Sequence, residues 1–241
     1  MATLSARFLL LFVFFASVPA ARAQDAVTAT PGAVQTVFEN EQIRVLHARY
    51  AGHQKIAIHG HPARVVVCIT DMHVRTTLAN GETQETRCKA GDSRWSEPVT
   101  HSVENLEGAP FEVVEVELKK AEASAIPAPP PTAGETLQEP VPVEKEPHHH
   151  FAFQNQYVRV LDVLMPAGEA SRFHTHSNDN VGIPISGDKT QSQPAGGEWS
   201  AVQDVKPGSA GFRKARGQAY THRVRSAGRL PFHVIDVEIF P

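Results

Sequence analysis

The sequence is short of the residues that define several common protein classes. It has 2 cysteines in 241 residues, too few for a small disulfide scaffold, so Cys68 and Cys88 either form one bridge or remain two buried thiols. Its formal net charge is only −3, and nothing in the composition favours nucleic acid or an anionic membrane as a partner. Beyond residue 23, no stretch approaches the uncharged apolar length that a transmembrane helix needs.

The first 23 residues have the three parts of a secretory signal peptide. Arg7 supplies the positive start, Phe8 to Val18 form the apolar middle, and Ala21-Arg22-Ala23 is a small-x-small cleavage site. The sequence therefore predicts an exported, soluble protein whose mature chain starts near Gln24, with no membrane span after cleavage. In a Gram-negative host it would be periplasmic, and otherwise secreted.

The rest of the chain contains an internal repeat, which is the strongest signal in the sequence. "VFENEQIRVLHARYAG" is matched by "AFQNQYVRVLDVLMPAG", "IHGH" by "FHTH", and "THSVENLEGAPFEVVEVEL" by "THRVRSAGRLPFHVIDVEI". A stretch rich in Pro, Ala and Glu separates the two copies, a composition typical of an extended linker. We predict domains at 37–119 and 148–241, joined by a linker at 120–147.

Each copy is predicted to be all-β. Short runs rich in β-branched residues, such as "ARVVVCIT" and "FEVVEVEL", are separated by turn signals such as Asn80-Gly81. Neither copy holds a helical period over the ten or so residues that a typical helix needs. A small sandwich or closed barrel follows for each copy.

Three histidines recur in both copies. Residues i and i+2 of a strand project to the same face, so a His-x-His pair presents two imidazoles together, and a third histidine from a distant strand completes a set of three. Three imidazoles with open positions for water or substrate suit Zn, Fe, Mn, Cu or Ni. The candidate metal ligands are His59, His61, His101, His174, His176 and His222.

Each copy resembles a cupin, and the pair resembles a bicupin. "GEASRFHTH" fits the opening of the first cupin motif, G-x5-H-x-H-x(3,4)-E-x6-G, and "GHQKIAIHGH" has one extra residue before its first histidine. "GDSRWSEPVTHSVEN" approximates the second motif, G-x5-P-x-G-x2-H-x3-N, and Gly208, Gly217 and His222 stand in comparable places of the other copy. The resemblance covers nearly all of both repeats and implies two jelly-roll barrels in tandem, each with a metal site.

The acidic ligand of the first cupin motif is missing from both copies. Arg64 and Asn180 stand where the resemblance places a glutamate, and Asp179 would be the nearest carboxylate if the strand shifted by one residue. We treat these three as candidate substrate-contacting residues. Arg64 either clamps a substrate carboxylate or extends to solvent at the barrel mouth.

Three functions are compatible with these observations. The first is a metal-dependent enzyme, of oxygenase, isomerase or hydrolytic type, acting on a small organic acid or sugar derivative. The second is a non-catalytic module that binds a small molecule or a metal, which the missing glutamates favour. The third is a structural protein in which one copy serves as the dimer partner of the other, and a homo-oligomer of the whole chain is also open. The retained histidines argue against the third.

Overall fold

The computed structural model describes residues 24–120 and 139–241, and β-strands dominate both ranges. Within these ranges the helical segments are one short helix, α1 (Ala26–Ala29), and one 3-10 turn at Val143–Lys145. The predicted signal peptide and residues 121–138 of the predicted linker lie outside the described residues. In the described part of the chain, no helix is long and apolar enough to cross a lipid bilayer.

The N-terminal copy forms a barrel of two antiparallel sheets. Its strands are β1 (Val34–Glu39), β2 (Ile43–Tyr50), β3 (Lys55–His61), β4 (Arg64–Cys68), β5 (Met72–Leu78), β6 (Thr83–Cys88), β7 (Ser93–Ser96), β8 (Val99–Asn105) and β9 (Phe111–Leu118). The inner sheet has the order β1-β2-β9-β4-β7, and the outer sheet has the order β3-β8-β5-β6. The hairpin predicted at Asn80-Gly81 is present between β5 and β6, and Gly81 has a φ of 87° that glycine adopts freely.

The C-terminal copy repeats this architecture. Its strands are β10 (Val141–Pro142), β11 (His149–Gln154), β12 (Val158–Met165), β13 (His174–His176), β14 (Asp179–Ser186), β15 (Lys189–Pro194), β16 (Gln203–Asp204), β17 (Gly211–Arg213), β18 (Tyr220–Ser226) and β19 (Phe232–Ile239). The inner sheet has the order β11-β12-β19-β14-β17, and the outer sheet has the order β10-β13-β18-β15-β16. β10 and the 3-10 turn lie in the stretch that the sequence prediction assigned to the linker.

The repeat seen in the sequence is also a repeat of strand register. A bulge interrupts the pairing of β1 with β2 after Thr36, and the same bulge interrupts β11 with β12 after Phe151. The predicted all-β class and the two tandem jelly-roll barrels are therefore confirmed.

One hydrophobic core is shared by the two barrels. Alternate residues of the inner strands build it: Ile43, Val45, Val65, Val67, Val114 and Val116 from the N-terminal barrel, and Val158, Val160, Val181, Ile183, Ile235 and Val237 from the C-terminal barrel. The residues between them face the barrel interiors, because successive side chains of a strand point to opposite faces. Both faces of these central strands are consequently buried.

Aromatic stacking and one glycine bring the barrels into close contact. Phe38 stacks on Phe212 with ring centroids 4.7 Å apart. Gly91 has a φ of 92°, and a Cβ added there would lie 2.3 Å from Cε1 of His233 in the other barrel. Any other residue at position 91 would therefore be strained and would also collide with His233.

A disulfide joins Cys68 at the end of β4 to Cys88 at the end of β6, with Cα atoms 6.4 Å apart. It links the inner and outer sheets of the N-terminal barrel. Of the two states left open by the sequence, the structure has the bridged one.

Removing this bridge with Cys68→Ala/Cys88→Ala is expected to lower the free energy of unfolding by about 3 kcal/mol. The two cysteines are 20 residues apart, and without the bridge the loop between them is open in the unfolded chain, which gains conformational entropy. Urea unfolding with and without a thiol reductant measures this. Reductant should destabilise the wild type and leave the variant unchanged, whereas equal stability of the two proteins would contradict the prediction.

Candidate metal centres

The six predicted ligands come from the outer sheets. His59 and His61 lie two residues apart on β3, so both project to one face, and His101 on β8 lies opposite His59 in the antiparallel register. β13 and β18 repeat this arrangement, with His222 opposite His174. Sheet register therefore assembles the histidines into two triads, one inside each barrel.

The N-terminal triad is compact and buried. The ring centroids of His59 and His61 are 4.8 Å apart, and that of His101 lies 4.9 Å from His59 and 5.4 Å from His61. The ligating atoms of the three residues lie within 4.8 Å of one another. All three residues are buried, with exposed fractions of 1% for His59, 7% for His61 and 9% for His101.

Hydrogen bonds fix the orientation of two of these rings. Nδ1 of His59 donates to the carbonyl oxygen of Ala57 at 2.8 Å, and Nδ1 of His61 donates to Oε1 of Glu117 at 2.7 Å. The carbonyl and the carboxylate can only accept hydrogen bonds, so each neutral ring carries its proton on Nδ1. Nε2 then has a free lone pair, which a metal requires. Nε2 of His101 is buried and has no hydrogen-bond partner among the described residues. This donor set fits a divalent transition metal.

Two glutamates of β9 lie beside the N-terminal triad. Glu117 also accepts from Nε of Arg44 at 2.7 Å, and Glu115 accepts from Nε of Arg64 at 3.1 Å. Burial alone would raise the pKa of Glu115, but His61 and Arg64 outweigh it and lower the pKa to about 2. The carboxylates inside this barrel thus come from β9.

Arg64 is buried, with 3% of its surface exposed, so its side chain does not reach solvent. Burial, followed by the charge of Arg64, lowers the pKa of His101 to about 3. His101 is consequently neutral at physiological pH, the form that ligates a metal.

The C-terminal triad is hydrogen-bonded differently, and His174 and His176 are buried whereas His222 is half-buried. Nδ1 of His174 donates to the carbonyl oxygen of Arg172 at 3.0 Å, as in the N-terminal barrel. Nδ1 of His176 instead faces the amide nitrogen of Asn180 at 3.2 Å, and an amide nitrogen only donates. The proton of a neutral His176 therefore sits on Nε2, which lies 3.2 Å from Nε2 of His222.

Asn180 is held by a network of its own. Its amide nitrogen also donates to Oδ1 of Asp236 at 2.7 Å, and its oxygen accepts from the hydroxyl of Tyr220 at 3.0 Å. Burial and then the charge of Glu238 raise the pKa of Asp236 to about 8. Within the C-terminal triad, His176 and His222 thus have hydrogen-bond partners in the protein, namely Asn180, Ser192 and each other.

Asp179 does not join this site. Its Oδ1 accepts from the backbone nitrogens of Ala215 and Arg216, each at 2.8 Å. The Asp179 side chain therefore binds the backbone of the loop that contains Ala215 and Arg216, whereas the neighbouring Asn180 faces the triad. The structure therefore brings Arg64 and Asn180 to the two triads and leaves Asp179 outside.

A cavity of about 240 Å³ opens onto the C-terminal triad. Its walls include Arg213, whose guanidinium carbon lies 4.6 Å from the ring centroid of Tyr220, and the side chain of Gln191. His149 of β11 also lines it: its ring centroid is 4.6 Å from that of His174, and its Nδ1 donates to Glu146 at 2.6 Å.

Sequence reasoning missed the acids on β9 and β19 and the histidine on β11. The signal was present, because "EVE" and "DVE" place two acids at alternate positions of otherwise apolar strands. On a strand with both faces buried, such acids must face a polar interior. The residues missed are Glu115, Glu117, Asp236, Glu238 and His149.

Two tandem jelly-roll barrels, each enclosing a histidine triad, give this chain the fold of a bicupin. Solved structures with the cupin fold agree with this class. AerE from Microcystis aeruginosa superposes with a TM-score of 0.62 at 12% identity, over 87% of this chain and 94% of that one. A cupin 2 conserved barrel protein from Leptotrichia buccalis gives a TM-score of 0.51 at 10% identity, over 86% and 88%.

The oxalate decarboxylase of Bacillus subtilis, described with Mn(II) centres, has a TM-score of 0.55 at 17% identity, over 85% of this chain and 71% of that one. No family model and no curated protein sequence matches the chain. These likenesses show a cupin fold for this chain.

Proposed function

We propose that the protein is an exported bicupin that holds a divalent transition metal at His59, His61 and His101. The observation that carries this proposal is the convergence of three buried imidazoles, one of which has an unpartnered Nε2 among the described residues. A buried nitrogen without a hydrogen bond is costly unless a ligand satisfies it. Zn, Fe, Mn, Cu and Ni all accept such a set of imidazoles.

The N-terminal triad is the better prepared of the two. The Glu117–His61 contact of 2.7 Å is the carboxylate–histidine arrangement that commonly supports metal ligands in proteins. His176 would first have to give up its contact with Asn180 before its Nε2 could bind a metal. We therefore expect the N-terminal site to bind metal more tightly.

The C-terminal barrel is proposed to bind a small organic anion in its cavity. Arg213 provides positive charge, Gln191 and Tyr220 provide hydrogen bonds, and apolar residues such as Val163 and Phe232 provide contact area. Mostly apolar walls with a few converging polar groups are typical of small-molecule sites. Catalysis at this triad is a second candidate, favoured by the fact that the cavity opens directly onto His174, His176 and His222.

Export is proposed from the leader sequence. The Cys68–Cys88 disulfide supports it, since such bridges persist mainly in oxidising compartments.

Metal content tests the main proposal. Wild-type protein, exported without a tag, is expected to contain about one equivalent of metal, because each triad offers one three-nitrogen site and only the N-terminal one is prearranged. Elemental mass spectrometry should show that His59→Ala/His61→Ala loses this metal and that His174→Ala/His176→Ala, the matched control, keeps it. Circular dichroism confirms that each variant is folded. A folded wild type without metal, or loss only in the second variant, would overturn the assignment.

A further inference from the structure

A short segment before the first barrel is built into the N-terminal triad. The carbonyl oxygen of Gln24 accepts from the backbone nitrogen of Gly60 at 2.9 Å, and Asp25 forms a parallel bridge with Gly60. Gly60 is the residue between His59 and His61. Ala26 of α1 is fully buried in the core of this barrel. We call residues 24–30 the N-terminal strap.

A chain of hydrogen bonds leads from the strap to the metal ligand. Oδ2 of Asp25 accepts from Arg44 at 2.6 Å, and Arg44 donates through Nε to Oε2 of Glu117 at 2.7 Å. The other oxygen of Glu117 accepts from Nδ1 of His61 at 2.7 Å. Each link joins groups of opposite charge or is charge-assisted, so the contacts are short and directional.

The C-terminal barrel has the same strap without the last link. Val141 and Pro142 of β10 pair in parallel with His174 and Thr175 of β13, as Asp25 pairs with Gly60. Arg159 binds Glu144 of this strap at 3.2 Å and also binds Glu238 through Nε at 2.5 Å. His176, however, bonds Asn180, and Oε1 of Glu238 has no partner among the described residues. The second barrel is therefore an internal control for the first.

We propose that the N-terminal strap is part of the N-terminal metal site, and that Asp25 is a positioning residue acting on His61 through Arg44 and Glu117. This inference rests on the proposed function of the triad. The relay holds the proton of His61 on Nδ1 and keeps the ring in place, so that docking of the strap and metal affinity are coupled. Coupling is reciprocal, and metal bound to the triad also stabilises the docked strap.

Asp25→Asn separates this role from a structural one. Asparagine caps a helix as well as aspartate does, so α1 keeps the bond from Val27 to residue 25, but the charge facing Arg44 is lost. We expect the affinity for Zn(II), measured by chelator competition on the untagged protein, to fall about tenfold, the lower range for losing an outer-sphere partner. Asp25→Glu, which keeps the charge, should restore much of it.

Glu144→Gln is the matched control in the C-terminal strap and should leave Zn(II) affinity unchanged. Wild-type affinity in Asp25→Asn, or an equal loss in Glu144→Gln, would overturn the relay. A second measurement needs no metal: the ¹⁵N shifts of the His61 ring should report Nδ1 protonation in the metal-free wild type and change in Asp25→Asn. If the wild type binds no Zn(II) at all, the proposed function fails, while unchanged ring shifts separately contradict the relay.

Discussion

Val237→Asp is expected to destabilise both barrels together by about 3–5 kcal/mol, the range for an uncompensated buried charge. Val237 is fully buried in the core that the barrels share, where no cation faces it among the apolar residues of that cluster. Total stabilities of proteins are about 5–15 kcal/mol, so this one change should bring the chain close to unfolding. Because the core contains strands of both barrels, the N-terminal barrel should lose stability although the substitution lies in the C-terminal one.

The chain offers one tryptophan in each half as a reporter. Urea unfolding with chelator present is followed by Trp95 in a Trp199→Phe background and by Trp199 in a Trp95→Phe background. The two midpoints should coincide and should shift together in Val237→Asp. Val202→Asp is the control, because that valine is 55% exposed and a charge there remains hydrated. An unshifted Trp95 transition would show that the barrels unfold independently.

Mild acid is expected to unfold the metal-free protein. Burial is the first cause that lowers the pKa of His101 to about 3, of His174 to about 4 and of His222 to about 2, and it also lowers the pKa values of His59 and His176. In the unfolded chain these histidines take up a proton near pH 6.5, whereas the native state does not. Their contribution to stability is present above about pH 6.5 and is lost as the pH falls, by about 1.4 kcal/mol per pH unit for each histidine.

The acid Asp236 opposes this trend. Its pKa of about 8 means that the native state keeps a proton that the unfolded chain releases, so its contribution is lost as the pH rises. The pKa of Glu238 is also raised, first by burial, and these two carboxyls do not offset five histidines. Urea unfolding at a series of pH values from about 7 to 5, with chelator present, measures the net slope. His222→Gln removes one titrating group and should make the slope shallower by about 1.4 kcal/mol per pH unit, whereas a flat wild-type profile would contradict the prediction.

The fold and the two triads follow from the sequence for the same reason. Side chains two residues apart on a strand project to the same face, so the two histidines of a His-x-His motif point in one direction. The internal repeat shows this motif twice, once in each barrel. The resemblance to the first cupin motif places Arg64 and Asn180 at the same motif position. In the structure they lie opposite Glu117 and Glu238 in the same register, so the two positions are equivalent in the two barrels.

Other parts of the site had a weaker signal or none. The alternation of Glu115 and Glu117 with Val116 indicates a polar barrel interior, but it does not show which side chains these acids contact. The straps have no repeat in sequence, since Asp25 and Glu144 share only a charge and an arginine partner. The cavity depends on how side chains from several strands pack together, which a linear pattern does not contain.

The shared core has an evolutionary consequence. When two identical subunits pair through such a face, one gene encodes both sites, and any substitution appears in each of them. Here the two sites are encoded separately, and the same register position carries Arg64 in one barrel and Asn180 in the other. Because the two barrels have separate sequences within one chain, either can change its chemistry while the other is kept, and the shared apolar core holds the two together.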